Sequence, residues 1–169
     1  NKDIYAYESN QDIIEAVKTA KEKITRSEVK KKETEVLFED NRFLVVYPLS
    51  VRSSNLYGKG TKWCVSSEDN NYGKYYKQYT ENGSLVFVID KKAKESEYRT
   101  NDLAKVAFHN DKKKNDGITL WDIKDRQMNV GNAMKVYSML GGDIMEIINE
   151  RLESGPTNKE LANKKGVRD

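Results

Sequence analysis

Cysteine, histidine and long apolar runs are scarce in this sequence of 169 residues. A single cysteine excludes an internal disulfide, which suits a reducing compartment. One cysteine and one histidine offer no ligand pair at zinc spacing, so we predict no metal site and no cofactor. No run approaches the roughly 18 apolar residues of a membrane-spanning helix, and no secretion signal opens the chain. We therefore expect a cytoplasmic protein, or a virion protein assembled in the cytoplasm, without a membrane partner.

An excess of one charge is also lacking. The 30 basic and 27 acidic side chains leave a formal net charge of +3, too balanced for a protein that coats nucleic acid by charge alone. The basic residues are nevertheless uneven, because most side chains that carry charge between residues 18 and 32 are lysine or arginine. Such a run is typical of a solvated helix face, and a surface that contacts a polyanion is the alternative.

The first third of the chain predicts a helix followed by a hairpin. Ser9 is a good N-cap, and apolar residues then recur at helical spacing, which predicts an amphipathic helix over 10–32. Those apolar residues are Ile13, Val17, Ala20 and Ile24. The strand-like runs within 36–47 are separated by Asp40 and Asn41, which favour a tight turn. Pro48 is expected to end the second strand because it has no N–H to donate.

The middle of the chain predicts a helix and three more strands. Ser67 is a candidate N-cap with Glu68 and Asp69 in the first turn, and Asn82-Gly83 a candidate end. Tyrosines at 72, 75, 76 and 79 would share one helix face, packed on a sheet or available to stack on bases. The apolar run 85–89 is typical of a central strand covered on both faces. Strands at 105–108 and 118–123 follow a polar loop over 91–102.

The last third predicts helices over 132–153, interrupted at Gly141-Gly142, where Asp143 is a candidate cap. We expect one α+β domain over 1–153, with its core at 33–130 and a mostly antiparallel sheet of about five strands between N- and C-terminal helices. Residues 154–169 read as a hinge and a short helix with a capping box from Thr157 to Glu160. This segment resembles the first half of a helix-turn-helix, which reads DNA only with a second, recognition helix.

Two places in the centre could carry chemistry. The turn from Tyr57 to Lys62 has two glycines, so its N–H groups could form an anion-binding nest, although a tight turn is the simpler interpretation. Cys64 is a candidate nucleophile, with His109 as base and Asp122 to orient the histidine. That order of residues is the one in transglutaminase-like and papain-like cores. Cysteine is, however, often buried, and we expect Trp63 and Cys64 to pack in the core.

The central segment resembles a group of mostly uncharacterised phage and mobile-element proteins over residues 33–125. The resemblance is carried by Pro48, by Tyr57-Gly58-Lys59-Gly60-Thr61-Lys62-Trp63-Cys64, and by Tyr76, Tyr79, Gly83 and the strand 85–90. The segment is also distantly similar to the PcfJ-like domain of conjugative elements, which usually has histidine where Trp63 precedes Cys64. Neither resemblance implies an established reaction. Both imply a viral or mobile-element context.

These observations leave three functional hypotheses open. The first is a non-enzymatic phage or mobile-element module that binds DNA, RNA or a nucleoprotein assembly, or else a phage or host protein. Its phosphate contacts would come from Lys18, Lys21, Lys30, Lys31, Lys32, Lys59 and Lys62. The second is the cysteine-dependent enzyme, which an open cavity shared by Cys64 and His109 would favour. The third is a structural component of a virion, held by its apolar C-terminal helices.

Overall fold

A computed structural model describes residues 10–67 and 72–168, and confirms the α+β fold with an antiparallel sheet of five strands. The described residues form six α-helices and five strands in the following order. They are α1 (Asn10–Lys32), β1 (Thr34–Glu39), β2 (Phe43–Pro48), α2 (Val51–Tyr57), α3 (Lys74–Glu81), β3 (Gly83–Asp90), β4 (Lys105–Asp111), β5 (Ile118–Trp121), α4 (Val130–Leu140), α5 (Gly142–Ser154) and α6 (Asn158–Lys164).

The sheet is a meander in which every strand pairs antiparallel with its neighbours in sequence, in the order β1-β2-β3-β4-β5. The hairpin predicted within 36–47 is β1 and β2, and the Asp40 side chain accepts from the backbone N–H groups of Arg42 and Phe43 in the turn. β3 is the central strand. Its residues Val86 and Phe87 point to opposite faces and are both fully buried, which confirms the prediction of a strand covered on both sides.

Each face of the sheet has its own core. The larger core packs α4, α5 and α6 on one face, around residues such as Phe108, Ile148 and Leu152. The smaller core packs α2, α3 and the 3-10 turn Cys64–Ser66 on the other face, around Trp63 and Phe87. The molecule therefore has three layers, with helices on both sides of the sheet.

α2 is a helix that the sequence did not predict. Ser50 caps it by accepting from the Ser53 N–H, and the hydroxyls of Ser53 and Ser54 are buried. They bond to Thr34 and to the Val65 carbonyl, so the serines tie this helix to β1 and to the 3-10 turn. Three serines have modest helix propensity and no apolar period, so only these tertiary contacts explain the helix.

The tyrosine helix is shorter than predicted. α3 begins at Lys74 with Gly73 as its N-cap, and Ser67 instead follows the 3-10 turn, so the predicted cap is wrong. Glu68 and Asp69 lie outside the described residues, as does Ser9, the cap predicted for α1. Tyr72 precedes the helix at φ 61° and is 90% exposed, and the predicted tyrosine stripe is therefore wrong at this residue. Tyr76 is buried and donates to the Pro48 carbonyl.

α6 packs onto the main body through one buried asparagine. The register of β2 and β3 would set Pro48 opposite Leu85, but Pro48 has no N–H for this position of the ladder. The Asn158 amide fills it: Nδ2 donates to the carbonyls of Pro48 and Leu85, and Oδ1 accepts from the Leu85 N–H. The capping box from Thr157 to Glu160 is confirmed. The cap predicted at Asp143 is wrong, because Gly141 is the N-cap of α5.

α1 spans 10–32 as predicted, and among the elements of the described residues it packs on β1 and α2. Its one buried residue is Val29. Helical geometry places Val29 about 140° around the axis from Ile24, so the apolar stripe faces away from the sheet. Ile24 is accordingly 61% exposed and Val17 50% exposed. With 23 residues, α1 is about 35 Å long.

Candidate functional site

A cavity of about 190 Å³ lies in the smaller core, between the sheet and the 3-10 turn. Its floor is built by the sheet, because β-strand alternation and register bring Leu85, Ala107, His109 and Trp121 to the same face. Its walls come from Trp63 to Val65 and from Tyr79 of α3, and Asp125 lies beside them. The sheet, the 3-10 turn and α3 therefore meet around one concave site.

Trp63 fixes the position of the 3-10 turn. It is 2% exposed, its ring centroid is 4.8 Å from that of Phe87, and its Nε1 donates to the Asp122 carbonyl at 2.7 Å. The prediction that Trp63 packs in the core is confirmed. Cys64 was predicted to pack there too, but it is only half-buried and lines the cavity together with His109.

The imidazole of His109 is held in a structural hydrogen bond. Its Nε2 lies 3.0 Å from the Tyr79 carbonyl oxygen, so this nitrogen carries the proton and donates. Gly83 makes room for the bond, since a Cβ there would lie 3.0 Å from Nε2 and 2.5 Å from the Asn110 oxygen. Burial lowers the pKa of His109, with the Tyr79 carbonyl acting in the opposite direction. The ring is therefore neutral at neutral pH.

The thiol of Cys64 is not activated. Burial raises its pKa and the Asp125 carboxylate raises it further, so the thiol form is favoured. An enzyme nucleophile of this type needs the reverse, a pKa lowered by an imidazolium or a helix N-terminus. The order Cys64 then His109 predicted two residues of one cavity, but the cavity does not prepare a thiolate.

Asp122 does not orient His109. Its Oδ1 accepts from the backbone N–H groups of Lys124 and Arg126, and its Oδ2 accepts from the Arg126 side chain at 2.9 Å. The carboxylate of Asp122 thus closes the turn after β5. The backbone carbonyl of the same residue accepts the hydrogen bond from Trp63 Nε1. The carboxylate that lines the cavity is Asp125, which the sequence did not single out.

The turn from Tyr57 to Lys62 holds a cation rather than an anion. The carbonyls of Tyr57 and Lys59 accept from the Lys105 ammonium at 2.8 and 2.7 Å. The N–H groups of Thr61 and Lys62 donate to the carbonyls of Gly58 and Ile123, so both are used within the protein. These contacts do not support an anion-binding nest, because two carbonyl oxygens of this turn face the Lys105 ammonium, a contact that the sequence pattern did not predict.

The burial of Lys105 makes the free energy of unfolding depend on pH. Lys105 is 7% exposed, and burial lowers its pKa from 10.5 to about 8. Between these values the unfolded chain binds more protons than the folded one, so stability rises with pH. We expect the free energy of unfolding to rise by about 2 kcal/mol from about pH 7 to pH 10, relative to Lys105→Met. Urea titrations at several pH values measure the difference, and parallel profiles for the two proteins would contradict it.

The seven lysines proposed for phosphate contacts are all exposed. Lys18, Lys21 and the group Lys30 to Lys32 lie along α1, while Lys59 and Lys62 belong to the turn after α2. On α1, helical periodicity puts Lys21 and Lys32 on one side of the apolar stripe and Lys23 and Lys30 on the other. Lys18, Glu15 and Glu22 fall on the side that carries Val29. Lysines therefore flank the outward stripe on both sides, together with Glu28 on one side and Asp12 on the other.

Within residues 10–67 and 72–168, no group of three or more His, Cys, Asp or Glu side chains is placed to hold a metal ion. None of the helices in this part of the chain has the length and apolar character needed to cross a membrane.

Comparison of the chain with protein-family models, with curated proteins and with solved structures found no match. The resemblance to phage and mobile-element proteins stays a prediction. The candidate sites are accordingly argued from the residues of this chain alone.

Proposed function

We propose that this protein is a non-enzymatic binding module that contacts nucleic acid or a nucleoprotein assembly, in a phage or a mobile element. The observation that supports the proposal is α1, a helix about 35 Å long whose one buried residue, Val29, lies near its C-terminal end. Five of the seven proposed lysines lie on it and are exposed. A projecting helix is narrow enough to lie along a groove or a phosphate backbone.

The distribution of charge on α1 also supports a polyanionic partner. Lysines flank the outward stripe on both sides and outnumber Asp12 and Glu28 there, whereas Glu15 and Glu22 lie toward the body. Phosphates on either side of a bound strand would then meet lysine. The apolar stripe between them would contact sugars and bases, and would thereby leave water.

The cysteine-enzyme hypothesis has one observation in its favour, the shared cavity of Cys64 and His109. Three observations oppose it: the raised pKa of the thiol, the neutral imidazole bonded to the Tyr79 carbonyl, and the engagement of Asp122 with Arg126. A binding module requires none of these groups to react. We therefore prefer binding to catalysis.

The test compares charge variants in a binding assay. A variant with glutamine at Lys18, Lys21, Lys30, Lys31 and Lys32 should bind labelled DNA or RNA at least about tenfold more weakly than the unchanged protein at about 50 mM salt. Fluorescence anisotropy with single-stranded DNA, duplex DNA and single-stranded RNA of mixed sequence measures the affinities. A second variant, Lys59→Gln with Lys62→Gln, should lose less affinity because it removes fewer contacts.

The matched control removes the same charge elsewhere. Glutamine at five exposed lysines outside α1 leaves that helix intact, and this variant should retain affinity within about threefold. Those lysines are Lys92, Lys94, Lys113, Lys114 and Lys135. If both five-lysine variants weaken binding equally, binding follows net charge and the α1 surface is refuted. If the unchanged protein binds none of the three nucleic acids, the proposal fails.

A further inference from the structure

The cavity beside Cys64 is a small compartment with aromatic walls. Its volume is about 190 Å³. Sites for drug-sized ligands and nucleotide cofactors are larger, roughly 300–1,000 Å³. Both tryptophans of the chain, Trp63 and Trp121, line it together with Tyr79. A ligand would therefore be a compact group of about six to eight heavy atoms that lies against aromatic rings.

Three of the four titratable groups that line this cavity are acids, and the fourth is the imidazole of His109. Burial raises the pKa of Tyr79, and so do Cys64 and Asp125; burial also raises the pKa of Cys64, again with Asp125. The phenol, the thiol and the carboxylate are thus near neighbours, and each becomes negative when it loses a proton. No lysine or arginine lines the cavity among the described residues. Aromatic faces add further negative potential.

Among the residues that the structure describes, no cation pairs with the carboxylate of Asp125. Asp125 adopts the left-handed conformation, with φ 63°, in the turn that Asp122 closes. In the described part of the chain its carboxylate accepts no hydrogen bond and forms no ion pair, although Arg126 and Lys124 on either side of it are both paired with other aspartates. Burial raises the pKa of Asp125, and the nearby Asp122 raises it further. A cation bound in the cavity would relieve this cost.

We propose that the cavity binds a small organic cation, an ammonium head group that lies against Trp121 and Tyr79 and pairs with the Asp125 carboxylate. Aromatic faces with one carboxylate are the chemistry that recognises quaternary and methylated ammonium groups. An inorganic ion is not favoured, because the described residues provide no cluster of metal ligands. This inference is independent of nucleic-acid binding by α1, since it uses other residues.

Choline is the probe, and 3,3-dimethyl-1-butanol is its matched control, with the same shape and a carbon in place of the charged nitrogen. Because both tryptophans line the cavity, intrinsic fluorescence reports binding directly. We expect a saturable change with choline and an affinity at least about tenfold weaker for the alcohol. Equal responses to the two compounds, or no saturable response to choline up to high millimolar concentration, would refute the proposal.

Asp125→Asn removes the charge and keeps the shape, and asparagine tolerates the left-handed conformation. Choline affinity should fall at least about tenfold in this variant, and stay within about twofold in Asp116→Asn on the exposed turn after β4. If Asp125→Asn binds choline like the unchanged protein, the proposal is wrong. The comparison of choline with its neutral analogue needs no variant, so a folding defect in Asp125→Asn leaves the proposal testable.

The same head group could come from a free metabolite or from a methylated lysine in a partner polypeptide. A short peptide with one trimethyllysine distinguishes the two sources in the same fluorescence titration. Tighter binding of the peptide than of choline assigns the cavity to a partner's side chain. Tighter binding of choline assigns it to a free ammonium compound. Both results support the proposed chemistry.

Discussion

Replacing Trp63 by alanine should lower the free energy of unfolding by about 4 kcal/mol, near the upper end of single-residue effects. The indole is 2% exposed and packs on Phe87, so the substitution leaves a large void in the smaller core. It also removes the Nε1 hydrogen bond to the Asp122 carbonyl and leaves that buried oxygen without this donor. Denaturant titration measures the loss directly.

Trp63→Phe separates the contribution of aromatic packing from that of the Nε1 hydrogen bond. Phenylalanine keeps much of the aromatic volume but has no N–H, so we expect a loss of about 2 kcal/mol. A loss below about 1 kcal/mol for Trp63→Ala would mean that the indole is not a core residue. The account of how the 3-10 turn is held would then be wrong.

Asn158→Ala should cost about 3 kcal/mol, because it removes three hydrogen bonds at once from a fully buried position. The Leu85 N–H, the Leu85 carbonyl and the Pro48 carbonyl would each lose their hydrogen bond to the Asn158 amide. The loss falls where Pro48 has no N–H to pair with β3. We expect the loss to appear in denaturant titration and in faster hydrogen exchange at the Leu85 amide.

Asn163→Ala is the matched control for Asn158→Ala. It changes the same residue type in the same helix, but at an exposed position, and should alter the free energy of unfolding by no more than about 0.5 kcal/mol. Equal losses for both variants would indicate a general effect on α6. The bridge from Asn158 to the two strands would then contribute little.

The strands could be predicted from sequence because each bears a strong local signal. The apolar run 85–89 is typical of a strand covered on both faces, and Asp40 with Asn41 favours a tight first turn. α2 had no such signal, since its serines bond to residues far away in sequence. The bridge from Asn158 to Pro48 spans 110 residues and was equally invisible.

Periodicity predicted the limits of α1 but could not tell what its apolar face touches. An apolar stripe at helical spacing usually packs on a core, yet the one buried residue of this helix is Val29, which lies on another side. The outward stripe and its basic flanks became evident only when the attachment point was known. This orientation is the reason that α1 rather than the central motif carries the functional proposal.

The candidate site was predicted in part. The order of Cys64 and His109 in the chain identified two residues of one cavity, because the register of β3 and β4 brings His109 beside Leu85 and the 3-10 turn. Asp122 was predicted from order alone, and the turn geometry places the carboxylate of Asp125 at the cavity instead. Side-chain direction within a tight turn depends on φ, which this sequence pattern does not specify.

The most direct test of the central claim is the salt dependence of nucleic-acid affinity, measured for the unchanged protein and for the glutamine variant at Lys18, Lys21 and Lys30 to Lys32. Each phosphate contact contributes about 0.9 to the slope of log affinity against log salt on duplex DNA. If the five lysines contact phosphates, the slope should be smaller in the variant by about 4. Identical slopes for the two proteins would contradict the claim that α1 is the binding surface.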